Sequence, residues 1–140
     1  MPIQQINPEQ AKKILDENQD ALYVDVRSVR EFTQGHAEGA INIPLLDHNE
    51  DGQMTSNPDF LAVMEAQVPK GKTLVLGCQA GGRSQKACEQ LEAKGYQKLS
   101  NMMGGYGGSP QSPGWKQLGL PVSQDNGEGI SYESLKNKLK

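Results

Sequence analysis

The stretch Lys72-Thr73-Leu74-Val75-Leu76-Gly77-Cys78-Gln79-Ala80-Gly81-Gly82-Arg83-Ser84 decides the fold. Its first part is β-branched and apolar, with no polar residue between Leu74 and Leu76 to mark a wet face, the pattern of a strand covered on both sides. Gly81 and Gly82 open a loop. From Ser84 onward Ala87, Cys88 and Leu91 recur at helical spacing, and Gly95 stands where a helix ends on a left-handed residue. The stretch therefore predicts a buried strand over 72–77, a tight loop, and a helix over 84–94.

The same alternation extends to either side. Asn7-Pro8-Glu9 combines a capping side chain, a proline at the first helical position and an acid in the first turn, ahead of Ala11, Ile14 and Leu15. A helix from Pro8 to about Asn18 follows. Residues 21–26 form a nearly continuous apolar run ending in charge, a second covered strand. Ser28, with Glu31 three residues on, makes a capping box for a short helix that closes before Gly35. Residues 40–43 read as a strand stopped by Pro44. Residues 45–56 are polar and loop-like, and Asn57-Pro58-Asp59 repeats the helix-start signal for a helix through about Gln67. Residues 97–102 are weakly strand-like, 104–110 are too glycine-rich for regular structure, and 131–139 suit a terminal helix. Strands alternating with helices predict an α/β domain, an open and largely parallel sheet with helices on both faces. Ligands in such sheets gather at the carboxyl ends of the strands.

Size and composition bound the function. The 140 residues fit one domain, and a net charge of -3 with both signs interspersed lacks the basic footprint of a nucleic-acid binder. No apolar run approaches the roughly 20 residues that cross a bilayer, and the N-terminus shows no charged region followed by an apolar one, so a cytoplasmic location is expected. Cys78 and Cys88 need separate readings, because one bridge is a poor framework for a domain of this size. With His36 and His48 the only histidines, no closely spaced set of soft ligands exists, and neither metal nor other cofactor is expected.

Cys78 is the candidate nucleophile. It is held between a strand end and a helix N-terminus, where free backbone amides and the helix dipole favour an anion and hence a thiolate. Gly81 and Gly82 can turn successive amides toward one point, and Arg83 adds permanent charge at the rim. The candidate binding loop is Gln79, Ala80, Gly81, Gly82, Arg83 and Ser84. Cys88 falls on the core-facing side of the following helix and reads as packing.

Taken together, residues 22–27, Glu31-Phe32, Gly35-His36, residues 39–44, the 78–84 loop, Gly104-Gly105-Tyr106, Trp115 and Gly119-Leu120-Pro121 resemble, in order, the landmarks of single-domain rhodaneses. The resemblance spans residues 6–122, leaving 123–140 as a C-terminal tail. It implies a rhodanese-like fold and transfer of a sulfane sulfur from thiosulfate, or a similar donor, to a thiol or cyanide acceptor through a persulfide on Cys78. It also implies that Asp25 buttresses the active-site loop. The residues alone leave Asp25 equally suited to pair with Arg27, which is a weaker candidate for the pocket, and Arg27 or Arg30 could form surface ion pairs with Glu31. His36 reads as a hydrogen-bonded structural histidine. A protein sulfur acceptor is a further expected partner; nucleic acid and membrane are not.

One departure is the stretched link 107–114 before Trp115, which predicts a shortened last helix or a mobile loop at the pocket. The rival enzyme is a phosphatase or arsenate reductase of the same fold, whose cysteine loops place five residues between Cys and Arg. Here there are four, Gln79 to Gly82, a tighter ring suited to one sulfur atom. A non-catalytic sulfur-carrier or regulatory module is the other alternative.

Overall fold

The computed structural model describes residues 3–79, 82–110 and 112–137. In chain order the elements are β1 (Gln4–Ile6), α1 (Pro8–Glu17), β2 (Leu22–Asp25), α2 (Val29–Gln34), β3 (His36–Ala37), β4 (Ile41–Asn42), β5 (Leu46–His48), β6 (Met54–Ser56), α3 (Phe60–Gln67), β7 (Leu74–Gly77), α4 (Gly82–Ala93), β8 (Leu99–Met102), β9 (Val122–Ser123) and α5 (Tyr132–Asn137). Five strands form one sheet in the order β1-β8-β7-β2-β4, every pairing parallel. The strand that led the reading, β7, is its centre.

Period-2 alternation along the strands divides the core into two clusters. Val24, Leu74 and Leu76 pack with Phe60 and Met64 of α3, Leu91 of α4 and Leu135 of α5. Tyr23, Val75 and Met102 pack on the opposite face with Ala11 of α1, Phe32 of α2 and Trp115. Helices thus cover both faces, as the unbroken apolar strands require. The two capping boxes are present: Asn7 with Gln10 opens α1 and Ser28 with Glu31 opens α2. Gly95 ends α4 with φ +98°.

Several segments differ from expectation. Residues 46–56, read as loop, contain the antiparallel hairpin β5–β6, whose second strand is fully exposed and so carries no alternation to read. Helix α3 starts at Phe60 rather than Pro58. Asn57 spends its Oδ1 on the Asp59 N–H and its Nδ2 on the Pro44 carbonyl, an Asx turn instead of a cap. Edge strand β1 and the small β3–β9 pairing were not anticipated. The link before Trp115 is tied by backbone bonds, Ser109 N–H to Ser112 O at 2.8 Å and Gly108 N–H to Gly104 O at 2.7 Å, and turns rather than a helix follow Trp115. Trp115 is buried against Tyr23, edge to face at 5.6 Å between centroids, and its Nε1 donates to Pro121 O. The tail packs back: Tyr132 and Leu135 are buried, and Lys136 pairs with Asp59. Among the described residues no helix is long and apolar enough to cross a membrane.

Candidate active site

Parallel pairing in register, Asp25 opposite Gly77, brings the ends of β2 and β7 side by side. Cys78 follows directly, only 2 % exposed. Its carbonyl accepts the Tyr106 N–H at 2.7 Å, and the Gln79 carbonyl accepts the Gly107 N–H at 3.0 Å. This clamp requires glycine at 105. There φ is +57°, and a Cβ would stand 2.3 Å from Cys78 O and 2.7 Å from Gln79 O. The Gly104-Gly105-Tyr106 landmark is therefore a backbone brace for the cysteine loop.

Beyond the loop, Ser84 on the first turn of α4 is fully buried, with its Oγ 3.5 Å from Cys78 Sγ. The same hydroxyl bonds Asn101 Oδ1 at the end of β8, and Asn101 Nδ2 donates to Gln5 Oε1. One hydroxyl hydrogen thus has two acceptors in reach. Ala80 and Gly81, the middle of the predicted binding loop, lie outside the described residues.

Asp25 and Arg27 resolve in favour of each other. The Asp25 carboxylate accepts the Arg27 backbone N–H at 2.9 Å, Nε at 3.0 Å and Nη2 at 2.8 Å, and both side chains are buried. Nη2 also donates to Gly35 O, Nη1 lies 3.4 Å from Gln79 Oε1, and the guanidinium sits 4.3 Å above the Tyr106 ring. Burial opposes the Arg27 charge, yet Asp25 outweighs it and the pKa is raised. Asp25 therefore reaches the loop through Arg27. Asn42 Nδ2 locks the same turn by donating to the carbonyls of Asp25 and Arg27.

The surface pairing of Glu31 with Arg27 or Arg30 is not found. Glu31 instead takes Arg83 in a two-pronged pair, 2.7 and 3.0 Å, with the arginine 17 % and the carboxylate 24 % exposed. Burial, the largest influence on Glu31, pushes its carboxyl up, but donors from Arg83 and Ser28 together outweigh it and hold the pKa at about 2. The charge of Arg83 is thus balanced at the rim. Sequence reading missed this partner because 52 residues separate the two.

Two cavities adjoin the described residues of the site, one with Arg83 on its wall and the other with Arg83's partner Glu31. A polar one of about 340 Å³ is lined by Arg27, Gln79, Tyr106, Lys116 and, on its wall, Glu31. A more apolar one of about 560 Å³ is lined by Leu45, Leu46, Arg83 and Lys86 among others. Lys116 and Lys86 had no role in the sequence reading. His36 is buried, stacked 3.7 Å on Phe32 with Nδ1 3.0 Å from Phe32 O, a satisfied structural residue. Cys88 is buried, and burial pushes its thiol to about 12. Among the described residues no three His, Cys, Asp or Glu side chains gather as a metal site would need.

Comparison with known proteins gives these features a context. The family of the rhodanese-like domain matches residues 7–108. The chain is 40% identical over 100 residues to thiosulfate sulfurtransferase 16, chloroplastic, of Arabidopsis thaliana, covering 71% of this chain and 78% of that one. It is 42% identical over 84 residues to the mitochondrial protein HIGH ARSENIC CONTENT 1 of the same plant, 60% of this chain and 49% of that protein. The crystal structure of Rv0390 from M. tuberculosis superposes with a TM-score of 0.76 at 27% identity, covering 89% of this chain and all (100%) of the other.

Proposed function

The chain belongs to the rhodanese-like domain family, and we propose that it is a sulfurtransferase that moves a sulfane sulfur from thiosulfate, or a similar donor, to a thiol or cyanide through a persulfide on Cys78. The observation that carries this reading is the position of Cys78: at the end of the central strand, its carbonyl held by the Tyr106 amide and that of the next residue, Gln79, by the Gly107 amide, with the Ser84 hydroxyl 3.5 Å from its sulfur. In the first step the Cys78 thiolate attacks the outer sulfur of thiosulfate. The S–S bond of the donor breaks, and sulfite leaves with the bonding pair. In the second step an acceptor thiolate or cyanide attacks the outer sulfur of the persulfide, the new S–S bond breaks, and Cys78 leaves as a thiolate. No outside oxidant or reductant enters. Ser84 and the loop amides stabilise the anion on sulfur in both states. The polar cavity, with Arg27 and Lys116 on its walls, suits the charged end of the donor. On this reading residues 6–122 are the domain proper and 123–140 a C-terminal tail, of which Tyr132 and Leu135 pack against the core.

The relative named for arsenic content keeps oxyanion chemistry as the rival reading. Treatment with thiosulfate followed by peptide mass spectrometry separates the two. The peptide holding Cys78 is expected to gain one sulfur atom, and Cys78→Ser to lose both this mass and thiocyanate formation from thiosulfate and cyanide. Hydrolysis of an aryl phosphate, or reduction of arsenate by added thiol, without any sulfur gain on Cys78 would replace the sulfurtransferase reading by the oxyanion one.

A further inference from the structure

A line of side-chain amides runs from the protein surface to the Cys78 sulfur, and its outer end fixes its direction. Glu89, exposed on α4, is a carboxylate and only accepts, so Gln85 turns its Nε2 to Glu89 Oε2 at 3.1 Å. Gln85 Oε1 then accepts from Gln5 Nε2 at 2.6 Å, and Gln5 Oε1 accepts from Asn101 Nδ2 at 2.8 Å. Asn101 is left with its oxygen toward Ser84. The Ser84 hydroxyl donates to that oxygen and stands 3.5 Å from Cys78 Sγ. Asn101 is 4 % exposed and Ser84 fully buried. Strand register places Asn101 of β8 opposite Leu76 of β7, two residues before Cys78, and opposite Gln5 of β1 on its other side. The edge strand thus supplies the residue that orients Asn101, and the first turn of α4 supplies the hydroxyl that Asn101 holds.

We propose that Asn101 is a positioning residue for sulfur transfer: acting through the Ser84 hydroxyl, it sets how firmly negative charge is held on the inner sulfur of Cys78. The inference rests on the sulfurtransferase reading and deepens it. The Asn101 oxygen and the Cys78 sulfur compete for the same hydroxyl hydrogen. Whatever share Asn101 takes is withheld from the sulfur. The two half-reactions make opposite demands on that share. When the thiolate attacks thiosulfate, an electron pair on Cys78 Sγ becomes the new S–S bond and negative charge leaves this atom with the departing sulfite. When cyanide attacks the outer sulfur, that S–S bond breaks and its pair returns to Sγ. A hydrogen bond to Sγ therefore slows loading, because it steadies the nucleophile, and speeds discharge, because it steadies the leaving group. Asn101 keeps the hydroxyl beside the sulfur without surrendering the whole of its hydrogen, so neither half-reaction is favoured at the other's expense.

Single-turnover rates of the two half-reactions test this. Loading is followed as mass gain on Cys78 after mixing with thiosulfate, at a pH where the rate has stopped rising with pH, and discharge as thiocyanate released from the loaded protein by cyanide. Asn101→Leu leaves the hydrogen to the sulfur. A thiolate stabilised tenfold attacks roughly threefold more slowly, by a Brønsted slope of about 0.4–0.5, and departs more readily. Loading is thus expected to slow about two- to threefold and discharge to quicken by a similar factor. In a Ser84→Ala background the same Asn101 substitution is expected to change neither rate, since the hydroxyl through which it acts is gone. Gln5→Met, at an exposed position, frees Asn101 to turn and is expected to shift both rates in the same directions by less. If Asn101→Leu does not fold, Gln5→Met decides by the same two rates, and no change in them overturns the assignment. It is equally overturned if Asn101→Leu slows both half-reactions together, as a merely loosened site would, or keeps its effect without Ser84. Those failures leave the persulfide on Cys78 untouched. If no sulfur appears on Cys78 in the unaltered protein, the sulfurtransferase reading itself falls, and this inference with it.

Discussion

Replacing Glu31 by glutamine probes the ion pair whose two members line different cavities. Glu31 grips Arg83 through both carboxylate oxygens and accepts the Ser28 N–H at the start of α2. Those donors overcome burial and hold its pKa at about 2 against an ordinary 4.5. At about 1.36 kcal/mol per pH unit the difference corresponds to roughly 3.4 kcal/mol as an upper bound. Solvent reaches the carboxylate, which is 24 % exposed, and screening brings the contribution to about 1–2 kcal/mol. The folded-state pKa lies below the unfolded one, so this stabilisation is complete above about pH 5, declines as the pH falls from 4.5 toward 2, and is absent below. Glutamine does not titrate and offers Arg83 one acceptor in place of two. Glu31→Gln should therefore be less stable than the unaltered protein by about 1–2 kcal/mol near neutral pH, with the gap closing through that acid window. Urea unfolding midpoints of the two proteins, measured side by side across the window, read the gap directly. A gap that stays constant from neutral pH down to the acid limit would refute the assignment of the stabilisation to the ionised pair.

Gly105→Ala should cost at least about 2 kcal/mol and most of the sulfur transfer, since left-handed strain adds to a clash with the Cys78 and Gln79 carbonyls. Gly39→Ala is its control: φ is +86° but nothing lies within 4 Å, so thermal unfolding should show only the strain of about 1 kcal/mol, with transfer retained. Arg27→Lys should lower stability by about 2–3 kcal/mol, because an ammonium cannot replace the fork that satisfies buried Asp25, Gly35 O and the Tyr106 face at once; a Tm within about a degree of the unaltered protein would contradict this. Cys88→Ala should lose about 1 kcal/mol of packing and no sulfur transfer; loss of persulfide on Cys78 in that variant would show that the second thiol takes part.

What could be read from the sequence is what local pattern encodes. Leu74-Val75-Leu76 named the central strand because both of its faces are apolar, and Asn7 and Ser28 named two helix starts because their capping partners lie three residues away. Cys78 emerged from the same local grammar, a strand end followed by a helix start. What was hidden depends on distant or backbone contacts. The exposed strand Met54–Ser56 exists through pairing with β5, not through its own pattern. Asn57 carried a cap signal, but tertiary contact with Pro44 claimed the side chain. Glu31 was legible as a capping residue and illegible as the partner of Arg83 across 52 positions. Gly105 looked like one of several loop glycines until the Cys78 carbonyl appeared where its Cβ would be.

The Arg83–Glu31 pair also bears on the proposal that a cysteine loop of this length suits sulfur. An oxyanion with three charged oxygens needs a cation turned into the ring, since backbone amides alone leave part of its charge unmet. Four residues separate Cys78 from Arg83, and both prongs of the guanidinium are taken by Glu31. Freeing it would mean leaving a carboxylate whose pKa is held near 2 without its main donor. A persulfide makes a smaller demand, one monoanionic sulfur that amides and the Ser84 hydroxyl can meet without the guanidinium. On the sulfurtransferase reading proposed above, the guanidinium can therefore stay with Glu31, Arg83 lining the more apolar cavity and Glu31 the polar one.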